Sequence, residues 1–222
     1  MLSFYRNQRN LLAIALLIVL SPFLYSQFNK TGFVPPVSYF LSKADQNPTV
    51  NLTPPKEKLL NYKRPINTII LGAIDKSQTA ILIDKSNYQL TLYYRNKAIK
   101  SYPIVLGQSP RGDKRREGDL KTPEGIFKIR DLYPHPSWSR FIWLDYPTQE
   151  SWRKHLQDKM QGKISLTSRV GSEIGIHGVP QDGDNLIDEQ KNWTWGCISL
   201  KNEDMDELYE VVQIGTAIKI IP

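Results

Sequence analysis

Between Thr79 and Leu106 the chain alternates short apolar runs with polar turns, and this pattern limits the fold more than any other feature. The run Thr79–Asp84 is followed by a turn at 85–87. The next stretch has the period of two that is typical of a half-buried strand, with one face formed by Tyr88, Leu90, Leu92 and Tyr94. A second turn at 95–97 leads into the apolar run 98–106. Consecutive strands joined by such short turns predict an antiparallel meander.

The rest of the domain adds further strands and two helices. Apolar runs predict strands at 126–130, 141–146, 174–177 and 217–221, and a long polar loop occupies 107–125. Thr148 is a suitable N-cap for a helix that continues to Met160, with an apolar face formed by Trp152, Leu156 and Met160. Asn202 is a suitable N-cap for a second helix, which ends before Gly215. The sum predicts a mainly β domain, closer to a β-sandwich with two or three short helices than to a doubly wound sheet.

Residues 1–26 have the pattern of an export signal. Arg6 and Arg9 precede the uncharged run 11–20, and no small-residue cleavage site follows it. We therefore favour an uncleaved membrane anchor over a removed signal peptide; a buried helix of a cytosolic protein fits poorly because the segment has no polar face. Positive charges stay on the cytoplasmic side, so the remainder is expected outside the inner (cytoplasmic) membrane, with a periplasmic or extracytoplasmic domain.

Residues 27–77 are rich in proline and asparagine and predict a semi-rigid stalk, which leaves 78–222 as the folded domain. The formal net charge of +7 favours anionic partners in general. Since the chain has no recognition-helix, zinc-finger or RNP-like pattern, we predict no nucleic-acid partner. The densest basic cluster is Lys114-Arg115-Arg116, in a glycine-rich loop, and we interpret it as solvated rather than as a binding patch.

Cys197 is the single cysteine of the chain, within the stretch Asn192–Leu200. An unpaired thiol in an exported protein is a liability, which favours a reactive role. A reactive cysteine needs a group that accepts its proton, and histidine is the usual one. His135 is held between prolines in a loop, His155 is expected on the rim of a helix, and His177 ends a strand before Gly178. Local chemistry leaves both a catalytic Cys–His pair and an inert buried cysteine open.

Two segments in this part of the chain match a known pattern. Ile176-His-Gly178 is followed, sixteen residues later, by Thr194-Trp-Gly-Cys-Ile198, and upstream lies Lys121-Thr-Pro-Glu-Gly-Ile-Phe-Lys-Ile129. Together they resemble the L,D-transpeptidase family, the YkuD-type catalytic domain, in its ErfK/YafK-like branch. The resemblance covers about Thr79 to Pro222 and implies the fold of that family for the domain 78–222.

The resemblance also implies roles for individual residues. Cys197 would be the acylated nucleophile, His177 the general base, and the Gly178 carbonyl the group that orients the imidazole. Backbone amides of Trp195, Gly196 and Cys197 would form the oxyanion hole, and Thr194 would shape their turn. Two positions depart from many family members: Trp195 replaces a histidine, and Ser199 replaces an arginine or asparagine that can bind a carboxylate.

The implied reaction is peptidoglycan L,D-transpeptidation, in cell wall biogenesis and cell shape. Cys197 would form a thioester with a tetrapeptide stem and pass it to an amine, either on a neighbouring stem or on a lipoprotein. The alternatives are an L,D-carboxypeptidase, a hydrolase or amidase of peptidoglycan-linked stems, and a non-catalytic wall-binding scaffold. No cofactor and no metal is predicted, because the acidic residues at 182–189 do not have EF-hand spacing and the histidines lack paired zinc-ligand spacing.

The five tryptophans leave two interpretations open. They can line a groove for a glycopeptide, or pack in the core, which explains at least half of them equally well. They are Trp138, Trp143, Trp152, Trp193 and Trp195.

Overall fold

The computed structural model describes residues 51–222. The predicted membrane segment 1–26 and the first half of the predicted stalk lie outside these residues. Among residues 51–222, no helix is both long enough and apolar enough to cross a bilayer.

Eight strands form one mixed sheet in the order β3-β2-β1-β8-β4-β5-β6-β7. The strands are β1 Thr79–Asp84, β2 Gln89–Tyr94, β3 Lys97–Pro103, β4 Gly125–His135, β5 Ser139–Leu144, β6 Gly175–His177, β7 Ile198–Ser199 and β8 Ala217–Ile221. The pairs β1–β8 and β6–β7 are parallel, and the others are antiparallel. The predicted meander is confirmed as β1–β2–β3.

The sheet curls, and this corrects the predicted two-layer sandwich. Strand β4 pairs with β8 through its first half, Gly125–Lys128, and with β5 through its second half, Ile129–His135, with an irregularity between Ile129 and Asp131. Because one long strand serves both halves, the sheet bends around it instead of separating into two layers. An isolated bridge between Val105 and Ser199 joins the chain after β3 to β7. Strands from both halves of the sheet contribute to one core cluster, for example Ile81 on β1 and Ile176 on β6.

Within residues 51–222, two longer helices and two helices of four residues accompany the sheet. They are α1 Ile66–Ile69, α2 Gln149–Met160, α3 Asn185–Asp188 and α4 Asn202–Val211, with a 3₁₀ turn at Lys76–Gln78. The prediction for Thr148 is confirmed, since its hydroxyl accepts from the Ser151 N–H at 3.2 Å. The prediction for Asn202 is wrong by one residue: Lys201 precedes the helix, and Asn202 is its first member.

The buried face of α2 differs from the predicted apolar stripe. His155 and Asp158 are buried, whereas Trp152 and Met160 are exposed, and His155 is therefore not on the rim. The cause is polar: Arg115 donates to Asp158 at 2.6 and 2.9 Å, and His155 Nδ1 donates to the Arg115 carbonyl at 2.6 Å. The ion pair between Arg115 and Asp158, rather than the hydrophobic periodicity of the sequence, therefore determines which face of α2 is buried.

The same contacts correct the interpretation of the basic loop. Lys114 is buried and its Nζ lies 2.9 Å from Asp119, while Arg115 pairs with Asp158 on α2. Only Arg116 remains exposed. The cluster therefore fastens the 107–125 loop to α2 rather than facing water.

The last part of the predicted stalk packs on the domain. Leu52 and Ile66 are buried, and the Ile66 N–H donates to Glu207 on α4 at 2.8 Å. The Leu59 N–H donates to Gln89 on β2 at 2.9 Å. This cover explains why β2 is buried on both faces, where the sequence predicts a half-buried strand.

Candidate active site

His177 is the last residue of β6, and Cys197 immediately precedes β7, the strand beside it. In the parallel β6–β7 pair, Ile176 is opposite Ile198 and His177 is opposite Ser199, so Cys197 comes immediately before the paired residues. Both His177 and Cys197 line one cavity of about 550 Å³. The nineteen residues between them are bridged by this strand pairing, which spacing in the sequence alone does not reveal.

The His177 imidazole is packed among aromatic rings. Trp138 stacks on it with a centroid distance of 4.4 Å, Phe141 lies at 5.5 Å nearly parallel to it, and Trp193 meets it edge-on at 5.5 Å. Burial lowers its pKa from 6.5 to about 4, against the opposing effect of a hydrogen bond to Gly178. The imidazole is therefore neutral at physiological pH.

The Gly178 carbonyl fixes the orientation of that imidazole. His177 Nδ1–H donates to it at 2.7 Å, which leaves Nε2 with a free lone pair in the neutral ring. Ser199, fully buried, donates its hydroxyl to the same carbonyl at 3.1 Å. Ser199 and His177 therefore donate to the same Gly178 carbonyl oxygen. The sequence does not indicate the Ser199 contact.

Gly178 is a glycine for reasons of space. A Cβ at this position would lie 2.1 Å from Asn202 Oδ1 and 2.6 Å from the Trp138 carbonyl oxygen. Asn202 on α4 and the backbone at Trp138 make this close approach, which only a residue without a side chain permits. Any larger side chain would displace the carbonyl that orients His177.

Cys197 is half-buried, and its Sγ–H donates to the Glu173 carbonyl at 3.4 Å. Burial raises the pKa of the thiol from 9.0 to about 11. With the imidazole also neutral, the resting pair is a thiol and an imidazole rather than a preformed thiolate–imidazolium ion pair.

The turn before Cys197 is held by Thr194. Its hydroxyl donates to the Cys197 carbonyl at 2.7 Å and accepts from the Gly196 N–H at 3.2 Å. Gly196 has φ +139°, and a Cβ there would lie 2.7 Å from the Lys121 carbonyl. The Gly196 N–H is engaged by the Thr194 hydroxyl and is not available to an oxyanion. Of the three predicted oxyanion donors, the backbone amides of Trp195 and Cys197 remain.

Aromatic side chains form most of the cavity wall. They are Tyr133, Trp138, Phe141, Trp143, Trp193 and Trp195. Four of the five tryptophans therefore line this cavity, and the fifth, Trp152, lines a different one. His135 also lines the wall and stacks on Trp138 at 4.4 Å, although the sequence gives it no role. The groove interpretation of the tryptophans is thus favoured over the core interpretation.

Comparison with known proteins decides the family. The model of the L,D-transpeptidase catalytic domain, YkuD, matches residues 78–220. The chain belongs to the L,D-transpeptidase family. The family consists of cysteine-dependent enzymes that modify peptidoglycan, and its match begins at the predicted domain boundary.

Relatives of this L,D-transpeptidase domain are distant. A Bacillus licheniformis protein named as an L,D-transpeptidase, YkuD, is 27% identical over 158 residues, which are 70% of this chain and 74% of that protein. The solved helical cell shape determining protein Pgp2 of Campylobacter jejuni is 30% identical, with a TM-score of 0.48, over 68% of this chain and 50% of its own. Bd1075 of Bdellovibrio bacteriovorus is 22% identical, with a TM-score of 0.45, over 68% of this chain and 51% of its own. The chain spans about half the length of these solved relatives.

Three residues of this L,D-transpeptidase site, Glu173, Phe141 and Trp143, are not part of the sequence motif. Glu173 supplies the carbonyl that accepts from Cys197, and it lies four residues before His177 without a family signature. Phe141 and Trp143 are two residues apart on β5, so the strand period places them on the same face of the sheet. The sequence does not reveal that His177 lies next to this face. Only the register of β5 against β6 brings that face to the imidazole.

Proposed function

We propose that the protein is a peptidoglycan L,D-transpeptidase with Cys197 as nucleophile and His177 as general base. The observation that carries the proposal is the cavity shared by the Cys197 thiol and an imidazole whose Nδ1–H is bound to the Gly178 carbonyl. That arrangement leaves Nε2 as the only proton acceptor of the ring.

The chemistry begins with a neutral pair. Sγ leaves its hydrogen bond to the Glu173 carbonyl and attacks the carbonyl carbon of the third stem residue, while Nε2 of His177 takes the thiol proton. The amides of Trp195 and Cys197 stabilise the oxyanion of the tetrahedral intermediate. When the C–N bond breaks, Nε2 returns the proton to the departing D-alanine amine, and a thioester remains on Cys197.

The second half repeats these transfers with an acceptor. A side-chain amine of another stem attacks the thioester carbonyl and gives its excess proton to Nε2. The C–S bond then breaks and the sulfur recovers the proton from the imidazolium. The new product is an amide crosslink, and the free thiol is regenerated.

Because both groups rest uncharged, the proton must move during attack rather than beforehand. Burial disfavours the thiolate and the imidazolium separately, so we expect proton transfer to accompany attack on the substrate carbonyl. The free thiol should therefore react slowly with small alkylating reagents at neutral pH, while substrate acylates it.

The deciding experiment pairs two buried histidines. In both His177 and His155, Nδ1 donates to a backbone carbonyl, but only His177 lines the cavity with Cys197. We expect Cys197→Ser and His177→Gln to lower the rate of acyl-enzyme formation with a tetrapeptide stem at least about 10⁴-fold. His155→Gln should leave it within a few-fold of wild type. Intact mass and quenched-flow rates measure the acyl-enzyme, and full acylation of His177→Gln would contradict the proposal.

Product analysis separates transpeptidation from hydrolysis. Muropeptides from sacculi treated with the wild-type enzyme should contain new crosslinks between third residues. A product of tripeptide stems without crosslinks would instead assign an L,D-carboxypeptidase. Released or attached protein would point to a lipoprotein lysine as the acceptor.

We further propose that residues 1–26 anchor the catalytic domain outside the cytoplasmic membrane. Support comes from Arg6 and Arg9 before the apolar run 11–20, and from a substrate that lies outside that membrane. Fractionation of cells that produce the full chain, with protease added to spheroplasts, should place the domain in the membrane fraction and make it accessible. Full-length, protected protein in the soluble fraction would contradict the anchor.

A further inference from the structure

A second cavity lies beside α2, on residues that the proposed reaction does not use. It has a volume of about 440 Å³, and its lining combines one aromatic ring with polar and basic side chains of the helix and of the segment before β6. They include Trp152, His155, Lys159, Ser168, Arg169 and Ser172. None of these residues lines the cavity that contains Cys197. A ligand of this second cavity would therefore bind independently of the proposed reaction.

His155 brings an unsatisfied polar atom to this second cavity. The residue is 1% exposed, and its Nδ1–H donates to the Arg115 carbonyl at 2.6 Å. In the neutral ring, this leaves Nε2 as an acceptor. Nε2 is buried, and within residues 51–222 it has no hydrogen-bond partner. Because a buried polar atom without a partner is costly, the ring favours a ligand that donates a hydrogen bond to it.

Two cations of the second cavity also have no partner. Lys159 is half-buried and Arg169 is exposed, and within the described part of the chain neither side chain forms an ion pair or a hydrogen bond. By contrast, Arg115 and Lys154 near the same helix each pair with an aspartate. Among the described lining residues Glu117 is the one carboxylate, so the two cations leave a net positive charge.

A phosphate group with an ionisable proton satisfies both features. Near neutral pH a phosphate monoester carries between one and two negative charges, so it retains a proton part of the time. Its P–O–H can donate to Nε2 of His155, and its other oxygens can accept from the two cations and from the hydroxyls of Ser168 and Ser172. A sulfate or a carboxylate would meet the same cations, but it has no proton to donate at this pH.

We propose that the second cavity binds a phosphate group with an ionisable proton, either free phosphate or a phosphate monoester. Lys159 and Arg169 attract the anion, and Nε2 of His155 accepts a hydrogen bond from its protonated oxygen. Trp152 meets the His155 ring edge-on with a centroid distance of 6.0 Å. Its indole gives the cavity an apolar side, on which the carbon part of a monoester can pack.

The test compares phosphate with sulfate on the full-length protein, at about pH 7 and equal ionic strength. Calorimetry should show inorganic phosphate binding at least about 10-fold more tightly than sulfate, because sulfate loses one charge-assisted hydrogen bond. In NMR titrations, phosphate should shift the imidazole resonances of His155 and leave those of His177 in place. Equal affinities for the two anions, or no saturable binding of phosphate, would overturn the proposal.

Three variants separate the roles of the lining residues. His155→Asn keeps an amide that can donate to the Arg115 carbonyl but removes Nε2, so the preference for phosphate should fall to near one. Arg169→Gln, at an exposed position, should weaken the binding of both anions about 3- to 10-fold and keep the preference. Arg111→Gln, a matched change at an exposed arginine of another cavity, should leave both affinities unchanged. A preference that survives His155→Asn would contradict the proposal.

Two further ligands identify the source of the phosphate group. Glycerol 3-phosphate is a monoester, whereas dimethyl phosphate is a diester without an ionisable proton at neutral pH. Tighter binding of glycerol 3-phosphate than of inorganic phosphate would support a monoester on a larger molecule, and the reverse order would support free phosphate. Dimethyl phosphate that binds as tightly as glycerol 3-phosphate would overturn the proposal. These comparisons use the wild-type protein, so they decide the matter even if His155→Asn does not fold.

Discussion

The meander β1–β2–β3 and the site edge β6–β7 are built on different principles. Each pair in the meander is registered over six positions, whereas β6 and β7 pair over two. Much of the meander core is aliphatic, and Ile81, Leu90 and Leu92 are fully buried in it. At the site edge, side chains instead bond to backbone groups: Thr194 to Cys197, Ser199 to Gly178 and Asn192 to Leu106.

This difference separates stability from precision. Long ladders and apolar packing hold the meander, and their energy depends on area rather than on the direction of single atoms. A two-residue strand pair cannot orient an imidazole by its ladder alone. Directional hydrogen bonds to the Gly178 carbonyl and to the turn 194–197 provide that orientation. Changes in the two regions should therefore have separable consequences for folding and for catalysis.

The largest expected effect on folding lies in the meander. Leu92→Ala removes a fully buried side chain of the main core, and we expect it to lower the free energy of unfolding by about 3 kcal/mol. Because Leu92 makes none of the hydrogen bonds of the site edge and does not line its cavity, the acylation rate of the folded fraction should remain that of wild type. Urea denaturation and single-turnover acylation test both parts. If the acylation rate of the folded Leu92→Ala protein fell together with its unfolding free energy, the two regions would not be separable.

The next effect is a pH dependence of stability that arises from His177. Its pKa is lowered by burial from 6.5 to about 4 in the folded protein, so the unfolded chain binds the proton more readily between these values. Stability contributed by neutral His177 is complete above pH 6.5 and declines as the pH falls toward 4. Between pH 7.5 and pH 5, wild type should lose roughly 2 kcal/mol relative to His177→Gln.

Asp204 makes the comparison with His177→Gln necessary. Burial raises its pKa from 3.8 to about 6, so its contribution has the opposite sign and improves stability as the pH falls below 6. Both proteins share Asp204, and its effect cancels in their difference. Urea titrations of the two proteins at both pH values supply that difference. An unchanged difference would show that His177 titrates normally.

The smallest effect compares two buried serines, one in each region. Ser199→Ala removes a donor to the Gly178 carbonyl, and Ser101→Ala removes a partner of Thr91 at 2.9 Å in the meander. Each should cost about 1 kcal/mol of unfolding free energy. Only Ser199→Ala should lower kcat, by a few-fold. It should also raise the pKa of the acid limb of kcat/KM, because the carbonyl then accepts more strongly from His177. Equal pH profiles in the two variants would assign Ser199 a structural role.

The sequence predicts the meander well because its signals are local. Turns at 85–87 and 95–97 separate runs with a period of two, and each strand pairs with the next one along the chain. The curl of the sheet was not predictable in this way. It depends on β4 pairing with β8, which follows it by more than eighty residues, and on β1 pairing in parallel with β8.

The residues of the site also differ in whether the sequence identifies them. Cys197, His177 and Gly178 follow from a motif, and the structure brings all three together. The stripe on α2 failed because Asp158 and His155 find polar partners in a distant loop, which periodicity does not represent. Ser199 and Glu173 escaped because their contacts are made by a hydroxyl and a backbone oxygen whose directions only the folded chain sets.

The concentration of indole rings around Cys197 has a practical consequence. Trp138, Trp143, Trp193 and Trp195 border the cavity, and Trp152 alone sits elsewhere. Intrinsic fluorescence should therefore be dominated by the surroundings of the reacting sulfur. Any stem or inhibitor that enters will displace water from these indoles and change their emission. The domain thus contains its own optical reporter, with which the proposed binding and acylation steps can be tested in real time without a label.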